Sequence, residues 1–177
     1  MQMMKRAEEI MIPMDRYPHV PYWFSLRQVM AIMENAEFNV DGKKSLPRFA
    51  LVFDESYQLL GIIRRRDIFR GLEPQFLASE KITYRKKLFD VKVDPNLSEM
   101  SYDKLLRGVI EKAESVQARQ VMREIKETVE HDDHIIKVIY EMVDNNVSLL
   151  PVVKDGQVVG VVRSVELFNE VYRILSE

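Results

Sequence analysis

Apolar positions recur with a helical period at two places along the chain. Between residues 25 and 36 they fall at Leu26, Val29, Met30 and Met33, and between 135 and 143 at Ile135, Val138, Ile139 and Met142. Spacings of three and four put each set on one face of an α-helix. A short β-rich run follows each helix, Phe49-Ala50-Leu51-Val52 in one case and Leu150-Pro151-Val152-Val153 in the other, then a polar turn and a second apolar run through a glycine. Asp155-Gly156 is a hairpin turn signal, whereas Asp54-Glu55-Ser56 opens a looser turn about two residues longer.

These matches extend into an internal repeat. Ala7-Glu8-Glu9-Ile10-Met11 aligns with Ala118-Arg119-Gln120-Val121-Met122, Gly61-Ile62-Ile63-Arg64 with Gly160-Val161-Val162-Arg163, and Asp67-Ile68-Phe69 with Glu166-Leu167-Phe168, in the same order. Each half therefore predicts strand, helix, hairpin, helix, in an α/β (α+β) fold. The first unit spans 1–72 and carries about eight extra residues within roughly 37–47, whose tip is Asp41-Gly42-Lys43-Lys44. The second spans 118–177, and its last helix shows a stripe of Leu167, Phe168, Val171, Ile174 and Leu175 that needs a partner. Residues 73–117 separate the units; Leu105, Leu106, Val109, Ile110 and Ala113 predict a helix over about 101–114, and Arg85, Lys86 and Lys87 form a basic cluster before it.

Composition narrows the function. With 177 residues, 46% hydrophobic and 31% charged, the chain has matter for a substantial core. Lys plus Arg number 26 against 28 for Asp plus Glu, so no large field draws in nucleic acid or an anionic membrane, and anion binding has to be local. There is no cysteine, which removes thiolate nucleophiles and cysteine zinc sites. No apolar run approaches the ~18 residues of a spanning helix. We expect a cytoplasmic protein without catalytic activity: no HExxH, Walker glycine loop or G-x-S-x-G is present.

The run from Val121-Met122 through Ile135, Leu150-Pro151-Val152-Val153, Asp155-Gly156 and Gly160-Val161-Val162 to Glu166-Leu167 resembles a cystathionine β-synthase (CBS) domain over nearly its full length. The first unit resembles the same domain with an insertion, and with Ala50 where the family usually has proline. A tandem pair of this kind implies a Bateman-type module: two β-α-β-β-α units packed with pseudo-twofold symmetry around two clefts, sensing adenine nucleotides or adenosyl compounds and dimerising through helices. The resemblance implies no required cofactor. It implies AMP, ADP, ATP or S-adenosylmethionine as ligand, a homodimer, and a regulated protein partner.

The family's ligand signature is glycine, two apolar residues, Ser or Thr, two further residues, then Asp. Gly61-Ile62-Ile63-Arg64-Arg65-Arg66-Asp67 keeps the Asp, which in the family grips ribose hydroxyls, and replaces the hydroxyl with Arg64, a fork suited to phosphate. The second unit has Arg163 and Glu166 at these positions; the longer carboxylate moves the acceptor by roughly one bond length. By resemblance, Ser148, Leu149 and Leu150 with Ile125 would line the adenine end of a cleft, and Arg48, Phe49 and Ala50 would do so in the first unit. Asp67→Ala is then expected to abolish most of a ligand-induced melting shift and leave the unliganded melting temperature nearly unchanged.

Simpler roles stand beside each of these. Asp67 and Glu166 also suit the positive end of a helix dipole, Arg64 to Arg66 suit a solvated basic strip, and the apolar residues suit a core. A ligand-free dimerisation scaffold, or RNA or single-strand DNA binding through the arginines, are the rival functions. His131-Asp132-Asp133-His134 holds metal-ligand types but falls at a helix start, where an Asp serves as N-cap. Tyr22-Trp23-Phe24 suits the core or a subunit contact. Met3, Met4, Met11 and Met14 suit an adaptable apolar segment.

Overall fold

The computed structural model describes residues 4–40, 42–73 and 102–176; Met3, Asp41 and the basic cluster of Arg85, Lys86 and Lys87 lie outside the described residues. The first half contains α1 (Ala7–Ile10), β1 (Ile12–Pro13), β2 (His19–Pro21), α2 (Leu26–Asn35), β3 (Phe38–Val40), β4 (Lys43–Ser45), β5 (Phe49–Phe53), β6 (Leu59–Arg64) and α3 (Arg65–Leu72). After α4 (Tyr102–Ser115), the second contains α5 (Ala118–Val121), β7 (Arg123–Glu124), β8 (Val129–Glu130), α6 (Ile135–Asp144), β9 (Leu149–Lys154), β10 (Gln157–Arg163) and α7 (Ser164–Leu175). Among the described residues no helix is long and apolar enough to cross a membrane.

Local chemistry sets the borders of these elements. The Ser25 hydroxyl accepts from the Gln28 N–H at 3.3 Å while the Gln28 side chain accepts from the Ser25 N–H at 2.9 Å, a reciprocal cap that starts α2. Its apolar face, Leu26, Val29 and Met33, is buried against Val20, Ala50, Val52 and Ile63. In the second half Ile135, Val138 and Met142 of α6 pack in the same way on Val129, Leu150, Val152 and Val162. β2 pairs with β5, and β8 with β9, in parallel across these helices, and each half closes with an antiparallel hairpin. Between the two sheets a third cluster joins Ile12, Tyr17, Phe38, Leu51, Phe53, Leu149 and Val161.

The strand that opens each half is given to the other half's sheet. β1 adds to β10, with Ile12 opposite Val161 and Pro13 opposite Gly160, and β7 adds to β6, with Gly61 opposite Glu124 and Ile62 opposite Arg123. The short helices cross with them. Ala7 and Glu8 donate backbone hydrogen bonds to the Asp133 and His131 carbonyls at 2.8 and 2.9 Å, as Ala118 and Arg119 do to Phe24 and Tyr22 at 2.7 and 3.0 Å. Both motifs that stood out in the sequence, His131 to His134 and Tyr22 to Phe24, are thus receiving ends for an exchanged helix. The N-cap of α6 is His134, so the expectation of an Asp cap is corrected: Asp133 accepts instead from the Glu130 N–H and from Lys137.

Two further expectations change. Strand register makes Leu51 the counterpart of Pro151, since each pairs with the residue after the hairpin glycine, so Ala50 answers to Leu150 and not to the proline. The motif glycines also serve a purpose other than anion approach. A Cβ on Gly61 would stand 2.2 Å from the Arg123 carbonyl oxygen, and one on Gly160 would stand 2.6 Å from that of Ile12, so each glycine admits an exchanged strand. We predict that Gly61→Ala and Gly160→Ala each lower stability by about 2 kcal/mol or more in urea titrations. Gly108→Ala, inside α4 with no atom of the described residues outside its own helix within 4 Å of its Cβ position, raises stability by roughly 0.5–1 kcal/mol.

Candidate functional site

The crossing of β7 onto β6 places an arginine from the second half beside the end of the first hairpin. There Asp67, in the first turn of α3, is 0% exposed and collects three guanidinium groups. Arg64 donates to Oδ2 from its backbone N–H and from Nε, both at 3.0 Å, and to Oδ1 from Nη2 at 3.1 Å. Arg70 pairs with the same carboxylate from the next turn of α3, and Arg123 reaches Oδ1 through Nε at 3.3 Å. Burial alone would raise the Asp67 carboxyl; the hydrogen bonds from the Arg64 guanidinium and backbone, the Arg64 charge and the Arg123 bond outweigh it and hold the carboxyl at about 2. Among the described residues, one carboxylate meets three arginines here, an excess of two positive charges at this junction.

Those charges border a cleft of about 350 Å³ between the two halves. Phe49, Ile62, Ile125 and Leu149 form its apolar walls, Arg64 and Arg123 its basic end, and Ser148 and Leu150 also face it. The structure therefore gathers Arg64, Phe49, Ile125, Ser148, Leu149 and Leu150 at one site. Asp67 lies beneath it with its oxygens already engaged. Ala50 is 0% exposed in the core of the first half, and Arg48 is exposed away from the cleft lining. Two carboxylates, Glu124 and Glu127, stand on the cleft's rim, the first within 3.9 Å of Lys126.

The pseudo-symmetric junction in the second half is filled. Arg163 closes on Glu166 through Nε at 2.9 and 3.1 Å and through Nη2, and its backbone N–H donates to Glu166 at 3.2 Å. The insertion after α2 folds as the β3–β4 hairpin and lies over this pair: Arg163 Nη2 donates to the Ser45 hydroxyl at 2.9 Å, and the guanidinium carbon stands 5.1 Å from the Phe38 ring centroid. Phe38 in turn stacks on Tyr17 at 5.5 Å. Tyr17 is 1% exposed, and burial raises its pKa. Glu166 also borders a cavity of about 450 Å³ that it shares with Phe38, Asn39 and Val40 of the hairpin and with Ile12, and there Glu170 is already paired with Lys5 and Arg173. Arg70, Arg123, Phe38, Ser45 and Tyr17 are site residues that sequence reading did not single out; of these, Arg70 was signalled by its place one turn after Asp67.

Residues 118–173 match the family model of the CBS domain. No curated protein matches the chain. Among solved structures, the CBS domain of a CBS domain-containing membrane protein from Sphaerobacter thermophilus is 22% identical, with a TM-score of 0.65 over 94% of this chain and 87% of that one. A CBS domain-containing protein of unknown function from Kribbella flavida is 17% identical, with a TM-score of 0.68 over 95% and 98%. CBSX2, in complex with AMP, is 14% identical, with a TM-score of 0.60 over 96% and 98%. The chain has the fold of a tandem CBS-domain pair, and residues 118–173, its second unit, match the CBS-domain model.

The expectation that Asp67→Ala leaves the unliganded melting temperature nearly unchanged is reversed, because the carboxylate joins two elements of one half to a strand of the other. Asp67→Asn should cost about 3 kcal/mol in chemical denaturation, the low end for a broken buried pair because the arginines reach solvent. An Asp held below its unfolded pKa stabilises the fold above that value and loses the contribution as pH falls toward 2. Wild-type stability should therefore drop by roughly 2 kcal/mol between pH 4 and pH 2 from this group, and the Asn variant should lack that part of the slope.

Proposed function

We propose that the chain is a regulatory module that binds an adenine nucleotide in the cleft between Arg64, Arg123 and Ser148 to Leu150. The observation that carries this is a cleft of about 350 Å³, apolar at one end and doubly basic at the other, built jointly by both halves. That volume is at the lower end of the range for small-molecule sites. The base would lie between Phe49, Ile62, Ile125 and Leu149, and the phosphate would take the N–H groups of Arg64 and Arg123 that Asp67 leaves free. With Asp67 engaged, Glu127 on the rim is the carboxylate placed to accept from ribose hydroxyls. CBSX2, which shares the fold, was crystallised with AMP, and that supports the class of ligand.

A scaffold role has its own observation. Ile136, Tyr140 and Val143 on α6, and Phe168, Tyr172 and Leu175 on α7, are all more than half exposed, which gives the second half a wide apolar face. We propose that this face holds a second copy of the chain, so that ligand in the cleft alters the geometry of a homodimer and through it a protein partner.

AMP, ADP, ATP and S-adenosylmethionine each added to the purified protein discriminate between the two roles. A nucleotide at a hundred times its dissociation constant should stabilise the fold by ~2.7 kcal/mol and raise the melting temperature. Arg123→Gln should weaken binding about tenfold or more, the loss of one charge-assisted hydrogen bond, with little effect on the unliganded protein because that side chain is half exposed. Flat responses to all four compounds would leave the scaffold role alone. Phe168→Glu, outside the cleft, should convert a dimer to a monomer in light scattering without altering nucleotide affinity.

A further inference from the structure

The repeat relates every residue of the open cleft to one at the opposite junction, and the comparison is unequal. By the alignment of Gly61 with Gly160 and of Met11 with Met122, the counterparts of Arg64 and Arg123, the two arginines that line the cleft, are Arg163 and Ile12. One of the two cations is missing. The counterparts of the apolar walls Phe49, Ile62 and Ile125 are Leu149, Val161 and Met14; both sets share one apolar cluster, and Phe38 and Val40 of the β3–β4 hairpin add to it. Where Arg64 borders the cleft, Arg163 faces the phenyl ring of Phe38.

The hairpin exists because α2 and β5 are joined by thirteen residues, 36–48, where α6 and β9 are joined by four, 145–148. Its contacts resemble those of a bound aromatic ligand. The Phe38 ring is 3% exposed between Tyr17 and the Arg163 guanidinium, and Ser45 offers that guanidinium a hydroxyl oxygen. The outcome is legible in exposure: the Arg64 side chain is 32% exposed and that of Arg163 is 7%. A cation stacked on a ring and bonded at its edge has little left to offer an incoming phosphate.

We infer that the β3–β4 hairpin is an internal occupant of the second cleft, so that the module takes one nucleotide per chain, and that Phe38 is the residue that excludes the second. The inference rests on the proposed nucleotide reading for its choice of ligand, but not for the closure of the second cleft. It assigns the insertion a role, that of making a two-site scaffold asymmetric.

Isothermal titration with AMP, on the wild type, on Phe38→Ala and on a variant with residues 38–45 replaced by a short Gly-Ser turn, tests it. One site per chain in the wild type and two in either variant is the expected result. Two sites in the wild type, or one in both variants with their circular dichroism unchanged, would overturn it. If the wild type binds no AMP, the nucleotide reading fails, and the hairpin is judged by a readout that needs no nucleotide. An arginine-selective dicarbonyl reagent followed by peptide mass spectrometry should modify Arg64 several-fold faster than Arg163 in the wild type, and both at similar rates in the variants. Equal rates in the wild type would sink the inference. The shortened hairpin keeps the test decisive should Phe38→Ala fail to fold, since it removes the whole insertion and leaves no truncated aromatic in the inter-unit cluster.

Discussion

The backbone of each exchanged strand lies against a glycine of the other half's hairpin, and the rest of the molecule depends on that contact. Gly61 and Gly160 have no Cβ where the Arg123 and Ile12 carbonyls pass. Because β7 can approach β6, Arg123 arrives beside Asp67; because β1 can approach β10, Met14 and Tyr17 enter the space between the sheets. The inter-unit core, the cleft and its cations all follow from two positions without a side chain.

The same helix-start geometry produces different chemistry in the two halves. Arg-x-x-acid at the end of a hairpin closes into a fork in both, so the acidic residue is buried in both: Asp67 is 0% exposed and Glu166 is 6%. What distinguishes them is what else arrives. Two more arginines converge on Asp67 and leave positive charge facing a cleft, whereas a phenyl ring and a serine converge on Arg163 and use it up. An arginine in place of a small hydroxyl thus does two jobs, holding the neighbouring carboxylate and, where space remains, presenting its spare N–H groups.

Much of the architecture was legible because it is written twice. Period-three-and-four spacing in 25–36 and 135–143, the paired glycines and the Asp155-Gly156 turn define elements that rest on local physics, and the structure forms them close to those borders. The family resemblance grouped Ser148, Leu149, Leu150 and Ile125 in one cleft, but did not show that this cleft is the one bordered by Arg64 of the first unit. The strand exchange was not legible, since two-residue strands carry no alternation that names their partner. Nor was the sealing of Asp67: a carboxylate followed by Arg70 on its own helix and joined by Arg123 from 56 positions away looks, in one dimension, like a free acceptor. The insertion showed as extra length, but Phe38 gave no sign of where it would land.

The exchange also bears on how the chain comes into being. During synthesis the first hairpin emerges with an unsatisfied edge along Gly61, and β1 emerges long before its partner β10, which belongs to the second half. Contacts between sequence-distant segments form slowly. Neither half can finish its sheet alone on the ribosome, so the nascent chain carries an open strand edge and an unpaired β1 until the second half has been made, the interval in which it would rely most on chaperones.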